Sequence, residues 1–270
     1  MNLKKLAAES NATNLSFFGK IRGTVSDYYI VEATVEREEG EGKEGMEAPG
    51  TGVNKSVFYV AKDSKSAWTK LPDLSPAEIT AARKIRMLFT GDLTRKIICN
   101  PFFFGTEADY LRAQISRIQH STAIIPKGVM RLTEDNPKEI EENVGEDGQE
   151  VVFPSTADMA RAEMWVHANQ NILLNSRTQH LDPEAPDDVS NFDPEVAMKE
   201  LEQKDPYEPR LKPITDDKRI LTFGKATTDP WVIRFQGDKT EYASASGNAS
   251  VYNGAVVVKS LTWPGAQVIY

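Results

Sequence analysis

Residues Phe17–Ala33 read FFGKIRGTVSDYYIVEA. Four aromatic side chains in seventeen positions allow either an aromatic binding surface or the face of a sheet. The pattern decides for the sheet. Phe17 to Ile21 reads as a strand, Gly23-Thr24 and Ser26-Asp27 supply turn chemistry, and Tyr28 to Val35 reads as a second strand. Along that second strand Tyr28, Ile30 and Glu32 alternate with Tyr29, Val31 and Ala33, so each face keeps one tyrosine. One row is expected to pack on helices, leaving the other free to meet a second sheet or a subunit. After an acidic insertion, VNKSVFYVAK (Val53–Lys62) reads as a third strand. The three form an antiparallel meander.

Outward from this meander, residues 3–14 look like a short helical lead-in, with Leu3, Leu6 and Ala7 on one side. LSPAEITAARKIRMLFTG (Leu74–Gly91) is the clearest helix. Ser75 is its N-cap, Pro76 its first residue, Glu78 completes a capping box, and Gly91 is expected to end it. Residues 107–120 form a second helical pattern, with Leu111, Ile115 and Ile118 on one face and Arg112 and Arg117 to either side. TAIIPKGVMRL (Thr122–Leu132) reads as strand, turn, strand, and residues 155–174 give a third helical pattern capped by Ser155 with Asp158. The C-terminal part returns to strands, with Val256 to Leu261 central and Pro264-Gly265 turning the chain back. The expected fold is α+β: mainly antiparallel β-sheet, two or three helices packed to one side, and long acidic loops. Residues 1–270 are expected to make a single domain.

The net charge of −8 over 270 residues is unevenly placed. Residues 34–50, 134–150 and 182–210 together hold 24 acidic and 6 basic residues, and the rest of the chain holds 16 and 26. Acidic segments therefore hang from a basic body. Flexible, solvated segments are expected at 36–52, 134–154 and 182–218, the last rich in proline. Two readings stand: the segments shield the body, or the basic body meets an acidic partner surface. Nucleic acid is disfavoured, because the cations are scattered and the acidic segments would repel phosphate. No apolar run approaches the roughly 20 residues of a membrane helix, so no membrane partner is expected. MNLKKLAAES has no apolar stretch behind its lysines, and the single cysteine, Cys99, leaves no internal disulfide to form.

Residues with catalytic or metal-binding spacing are scarce. His120, His167 and His180 with Cys99 have no metal-ligand spacing. His167, beside Trp165, reads as a packed or surface histidine, and Cys99 in IICNPFFF as a buried thiol with no activating neighbour. GTGVNKS (Gly50–Ser56) lacks the glycine before its lysine that a phosphate loop needs, so it reads as a structural loop. Asp187-Asp188 and Asp216-Asp217 read as exposed carboxylates with ordinary titration. No catalytic, cofactor-binding or metal-binding residue is assigned, no cofactor is expected, and the chain is not expected to be an enzyme. PFFFGTEADY (Pro101–Tyr110) is different, because three consecutive phenylalanines cannot all face one core. Packing between layers and contact with a partner protein both remain open.

Several blocks, in order, carry a resemblance. LKKLAAES, FFGKIRGTVSDYYIVEA, VNKSVFYV, WTKLPDLSPAEITAARKIRMLFTGDL, FFFGTEADYLRAQISRI, STAIIPKGV, MWVHANQNIL and LTWPG are together similar to the radial spoke head proteins of cilia and flagella, of the type paired as subunits four and six. The type nine subunit shares the GKI-G-DYYI and LWPG-type elements but lacks the YLRAQI block. The resemblance implies a structural subunit of the spoke head in the ciliary or flagellar axoneme, within the cytoskeleton, that helps pass mechanical signals between the central apparatus and the dynein arms. It implies partners among other spoke head and stalk proteins, including a paralogous four/six-type subunit and the type nine subunit. It also implies transient contact with central-apparatus projections and hetero- or homo-oligomerisation. The alternative is a soluble binding module that recognises an acidic partner through its basic body. Family members extend further at both ends, so a fragment, a shortened member and one half of a split gene all remain open. MWVHANQNIL lacks the second histidine of the family's usual WVHH run.

Overall fold

The computed structural model describes residues 3–35, 47–63, 65–134, 139–144, 153–169, 193, 196, 210–220, 227–243 and 250–270. Chain contacts divide it into two compact units, Met1–Arg117 with Gln170–Glu208, and Ile118–Asn169 with Pro209–Tyr270.

The first unit opens with α1, Leu3–Ser10, and β1, Ala12–Ile21. The helical lead-in ends earlier than expected because Asn11 adopts a positive φ of 51°, a left-handed conformation that asparagine tolerates and that stops a helix. β2 (Tyr28–Val35), β3 (Val57–Ala61) and β4 (Thr69–Lys70) complete an antiparallel sheet in the order β1-β2-β3-β4. Phe17 faces Val31, and Glu32 faces Phe58. The expected meander is present.

α2 spans Pro76–Lys84 and α3 spans Glu107–Thr122. The capping box at Ser75 and Glu78 forms in both directions. α2 nevertheless stops at Lys84, seven residues before Gly91. The far end of the intervening backbone, at Phe89 and Thr90, is taken by the turn of the opening stretch. Thr24 N–H donates to the Phe89 carbonyl at 2.8 Å, and Val25 and Ser26 N–H both donate to the Thr90 carbonyl at 3.1 Å. Tertiary hydrogen bonds have replaced helical ones.

α3 lays Leu111 and Ile115 on the β2–β3 face, against Tyr28, Ile30, Phe58 and Val60. A second apolar cluster joins α2 (Ile79, Ala82) and α3 (Tyr110, Ala113) with Leu74, Ile97 and Phe103. Each fully buried large side chain contributes about 1.5–3 kcal/mol. The opposite row of β2 differs from expectation: Val31 and Ala33 are fully buried as well, so that face is not bare.

In the second unit β5 (Ile124–Pro126) and β6 (Met130–Leu132) flank the anticipated turn, but each pairs elsewhere. β6 pairs with β7 (Ile140–Glu142), and the Arg131–Glu141 ion pair crosses the two strands at 2.8 Å. The third helical pattern shrinks to one turn, α4 (Thr156–Met159), and gives way to β8 (Trp165–His167), the partner of β5. The cause is Trp165, which is fully buried and donates its indole N–H to the Met159 carbonyl at 2.7 Å. Trp165 itself and the β-branched Val166 suit a strand. β9 (Arg219–Ile220) pairs with β10 (Thr227–Thr228). β11 (Trp231–Ala243), β12 (Ser250–Ser260) and β13 (Gln267–Ile269) form a sheet with β12 central, and Gly265, at φ 99°, makes the turn into β13. Val256 and Val258 pack with Trp165, Met159, Ile124 and Ile214.

Inner margins of the acidic segments are built into this framework. Glu47 and Ile214 are buried, and β7 lies inside 134–154. Most of 36–52 and of 182–218 lies outside the described residues. No helix among the described residues is long and apolar enough to cross a membrane.

Candidate interaction surface and its buried anchor

Glu107, the first residue of α3, has a side chain with no exposed surface. Its two oxygens receive five donors. The Tyr28 hydroxyl (2.8 Å), Thr90 N–H (2.8 Å) and Gly91 N–H (2.9 Å) reach Oε1. The Thr90 hydroxyl (2.8 Å) and Arg95 Nε (2.8 Å) reach Oε2. The carboxylate therefore ties β2, the 89–91 strip, the Arg95 loop and the positive end of a helix to one point. Burial pushes its acidity weaker, but donors from Gly91, Thr90 and Tyr28 outweigh this and hold it below the ordinary carboxylate value. Burial, and then the carboxylate, push the Tyr28 phenol well above its ordinary value.

Two glycines permit this convergence. A side chain on Gly91, at φ 95°, would overlap the Ser26 carbonyl, and one on Gly23 would meet the same oxygen. Nearby, Arg112 is 1% exposed, donates to the Val53 carbonyl at 2.7 Å and stacks 4.6 Å over the Phe58 ring. Arg117 donates toward the Ala82 carbonyl at 3.4 Å, and burial lowers its pKa. The sequence places these arginines beside the apolar face of α3; the fold draws both inward.

The same anchor positions the PFFFG loop. Glu107 N–H donates to the Arg95 carbonyl (2.8 Å), Ala108 N–H to that of Leu93 (3.1 Å) and Ile97 N–H to that of Gly105 (3.2 Å). The loop is thus a hairpin closed at its base. Phe103 points in, 1% exposed, against Tyr110. Phe102 and Phe104 point out at 73% and 84% exposure, their ring centres 6.3 Å apart. The packing reading holds for Phe103, whereas Phe102 and Phe104 leave the core and face solvent.

Of the other candidate residues, Cys99 is half-buried and points its thiol at the Pro101 carbonyl, 3.2 Å away. His120 lies 3.1 Å from the Asn169 side-chain amide. His167 is buried, with Nε2 2.9 Å from Asp217 Oδ2, and the Trp231 indole N–H donates to the same oxygen at 2.8 Å. Asp217 corrects the expectation of an ordinary exposed carboxylate. Burial raises its pKa, and the His167 and Trp231 hydrogen bonds prevail and lower it. The GTGVNKS stretch is a structural loop: Val53 N–H donates to the Glu47 carboxylate at 3.1 Å, and the Asn54 amide bridges Glu47 and Leu74. His180, Asp187 and Asp188 lie outside the described residues. Among the described residues no three His, Cys, Asp or Glu side chains come together as metal ligands.

A buried charge hub thus underlies an apolar hairpin that is exposed at Phe102 and Phe104. The chain belongs to the radial spokehead-like protein family, whose model matches residues 1–48 and 43–270. It is 31% identical to flagellar radial spoke protein 4 of Chlamydomonas reinhardtii, over 97% of this chain and 55% of that protein. It is 34% identical to radial spoke head protein 6 homolog A of Mus musculus, over 80% of this chain and 30% of that protein. For human radial spoke head protein 4 homolog A the identity is 30%, over 98% and 41%. The chain thus spans about half, or less, of the length of these relatives.

Proposed function

We propose that the chain is a structural, non-enzymatic subunit of the radial spoke head in the ciliary or flagellar axoneme. There it helps relay mechanical signals between the central apparatus and the dynein arms. The observation that carries this reading is the family match along the whole chain, with relatives of the four and six types about 30% identical. Its partners are other spoke head and stalk proteins, with a paralogous four/six-type subunit and a type nine subunit foremost, and the central-apparatus contact is transient. Charged surfaces suit repeated brief contact, because their attraction is screened beyond about 8 Å at physiological salt. The fold supports a scaffold role, since the carboxylates of Glu107 and Asp217 are both consumed in holding segments together.

The test is fractionation of ciliated cells that express the tagged chain. It should stay with detergent-extracted axonemes and leave them together with radial spokes. Release into the detergent-soluble fraction would overturn the reading.

A further inference from the structure

Lys96 bridges Thr106 across the Leu93–Ala108 hairpin, which sets an alternation of inward and outward residues. Ile97 and Phe103 turn inward at 3% and 1% exposure. Ile98, Phe102 and Phe104 turn outward at 87%, 73% and 84%. The extended strip that follows α2 repeats the pattern: Ile85 is buried and Met87 and Phe89 are packed on the core, while Arg86 and Leu88 are exposed. Arg95 joins strip to hairpin, with Nε on Glu107 and Nη2 donating to the Leu88 carbonyl at 3.2 Å.

The outward side chains are therefore held open to water. The hairpin backbone is closed by three hydrogen bonds and its base is locked by a buried carboxylate. Large apolar side chains kept exposed on such a support mark a contact site. Its charge is also defined, because Arg86, two residues before Leu88, and Lys96, two residues before Ile98, are exposed and neither has an ion-pair partner among the described residues. A second copy presenting the same face would set these cations against their own equivalents. A lipid surface calls for clusters of about 4–8 cations, and this face offers two.

We infer that the face formed by Leu88, Ile98, Phe102 and Phe104, flanked by Arg86 and Lys96, docks an acidic segment bearing apolar side chains on another polypeptide of the spoke. The apolar residues supply affinity, and the two cations set which segment is accepted and in what orientation. This inference rests on the spoke-head reading and adds the chemistry of the partner.

The test places a photocrosslinker at the face, Phe104→p-benzoylphenylalanine, in the full chain expressed in ciliated cells. Axonemes are isolated and irradiated, and the attached peptide is identified by mass spectrometry. Phe104 is 84% exposed, so the fold tolerates the change. The expected product joins position 104 to a segment of another spoke polypeptide that carries net negative charge and at least one leucine, isoleucine, valine, methionine or phenylalanine. Adding Arg86→Glu and Lys96→Glu should lower its yield about tenfold, the effect of about 1.4 kcal/mol. A basic or neutral attached segment, a product with a second copy or with this chain's own acidic stretches, a yield indifferent to the two charge reversals, or no product would overturn the inference. Absence of the chain from axonemes would instead show that the spoke-head reading has failed.

Discussion

The Tyr28 hydroxyl donates to Glu107 Oε1 at 2.8 Å, joining two residues 79 positions apart in the chain. That bond connects the first residue of a central strand to the first residue of the helix that covers it. It also explains why the unit can bury a carboxylate, since every oxygen lone pair is matched by a donor that the fold itself supplies.

Removing the carboxylate should be far more damaging than removing one donor. Glu107→Ala leaves the Arg95 guanidinium and the Gly91 and Thr90 amides without their acceptor and is expected to cost about 3–5 kcal/mol. Tyr28→Phe removes one donor from an oxygen that keeps two others and should cost about 1–2 kcal/mol. Urea unfolding of the single and double variants measures both, and a coupling energy near zero would contradict direct contact.

Stability should fall at both ends of the pH scale for identifiable reasons. The folded-state pKa values of Glu107 and Asp217 lie below their ordinary values of 4.5 and 3.8. Their contributions are complete above those values and are lost as pH falls through the lower folded ones. Tyr28 is raised above its ordinary 10.0, so its contribution is complete below pH 10 and declines as pH rises beyond it. Unfolding midpoints measured against pH should show both limbs, with Glu107→Gln flattening the acid limb and Tyr28→Phe the alkaline one.

Two glycines with nearly the same positive φ should respond differently to alanine. Gly91, at φ 95°, faces the Ser26 carbonyl, whereas Gly128, at φ 93°, has open space where a side chain would go. Gly128→Ala is expected to cost about 1–2 kcal/mol of left-handed strain. Gly91→Ala adds a clash with backbone and a displaced donor to Glu107, and should cost at least about 2 kcal/mol more. Thermal unfolding of the two variants makes the comparison.

Adjacent phenylalanines should likewise separate. Phe103 is packed against Tyr110 and the α2–α3 cluster, so Phe103→Ala should destabilise by about 3–5 kcal/mol. Phe104→Ser removes an exposed side chain and should change the stability of the isolated chain by no more than about 0.5 kcal/mol. Equal losses in denaturant unfolding would show that Phe104 belongs to the core.

Features set by neighbours along the chain were legible before folding. Alternation and turn residues specified the β1–β2–β3 meander, Ser75-Pro76 and Glu78 specified the start of α2, and apolar spacing specified α3. Three phenylalanines in a row required that some face outward, as Phe102 and Phe104 do. Periodicity and capping are local interactions, so they are legible one segment at a time. Tertiary structure alone decided where α2 stops, because the Gly23–Ser26 turn claims the backbone of residues 89 and 90. It decided that residues 165–167 are a strand, because Trp165 is buried beneath a sheet formed from residues about 90 positions later. It also decided the roles of Glu107, Asp217 and Arg112, whose charges look solvent-facing in sequence. A buried charge is tolerated only where donors or acceptors from distant segments converge on it, and no local pattern encodes that convergence.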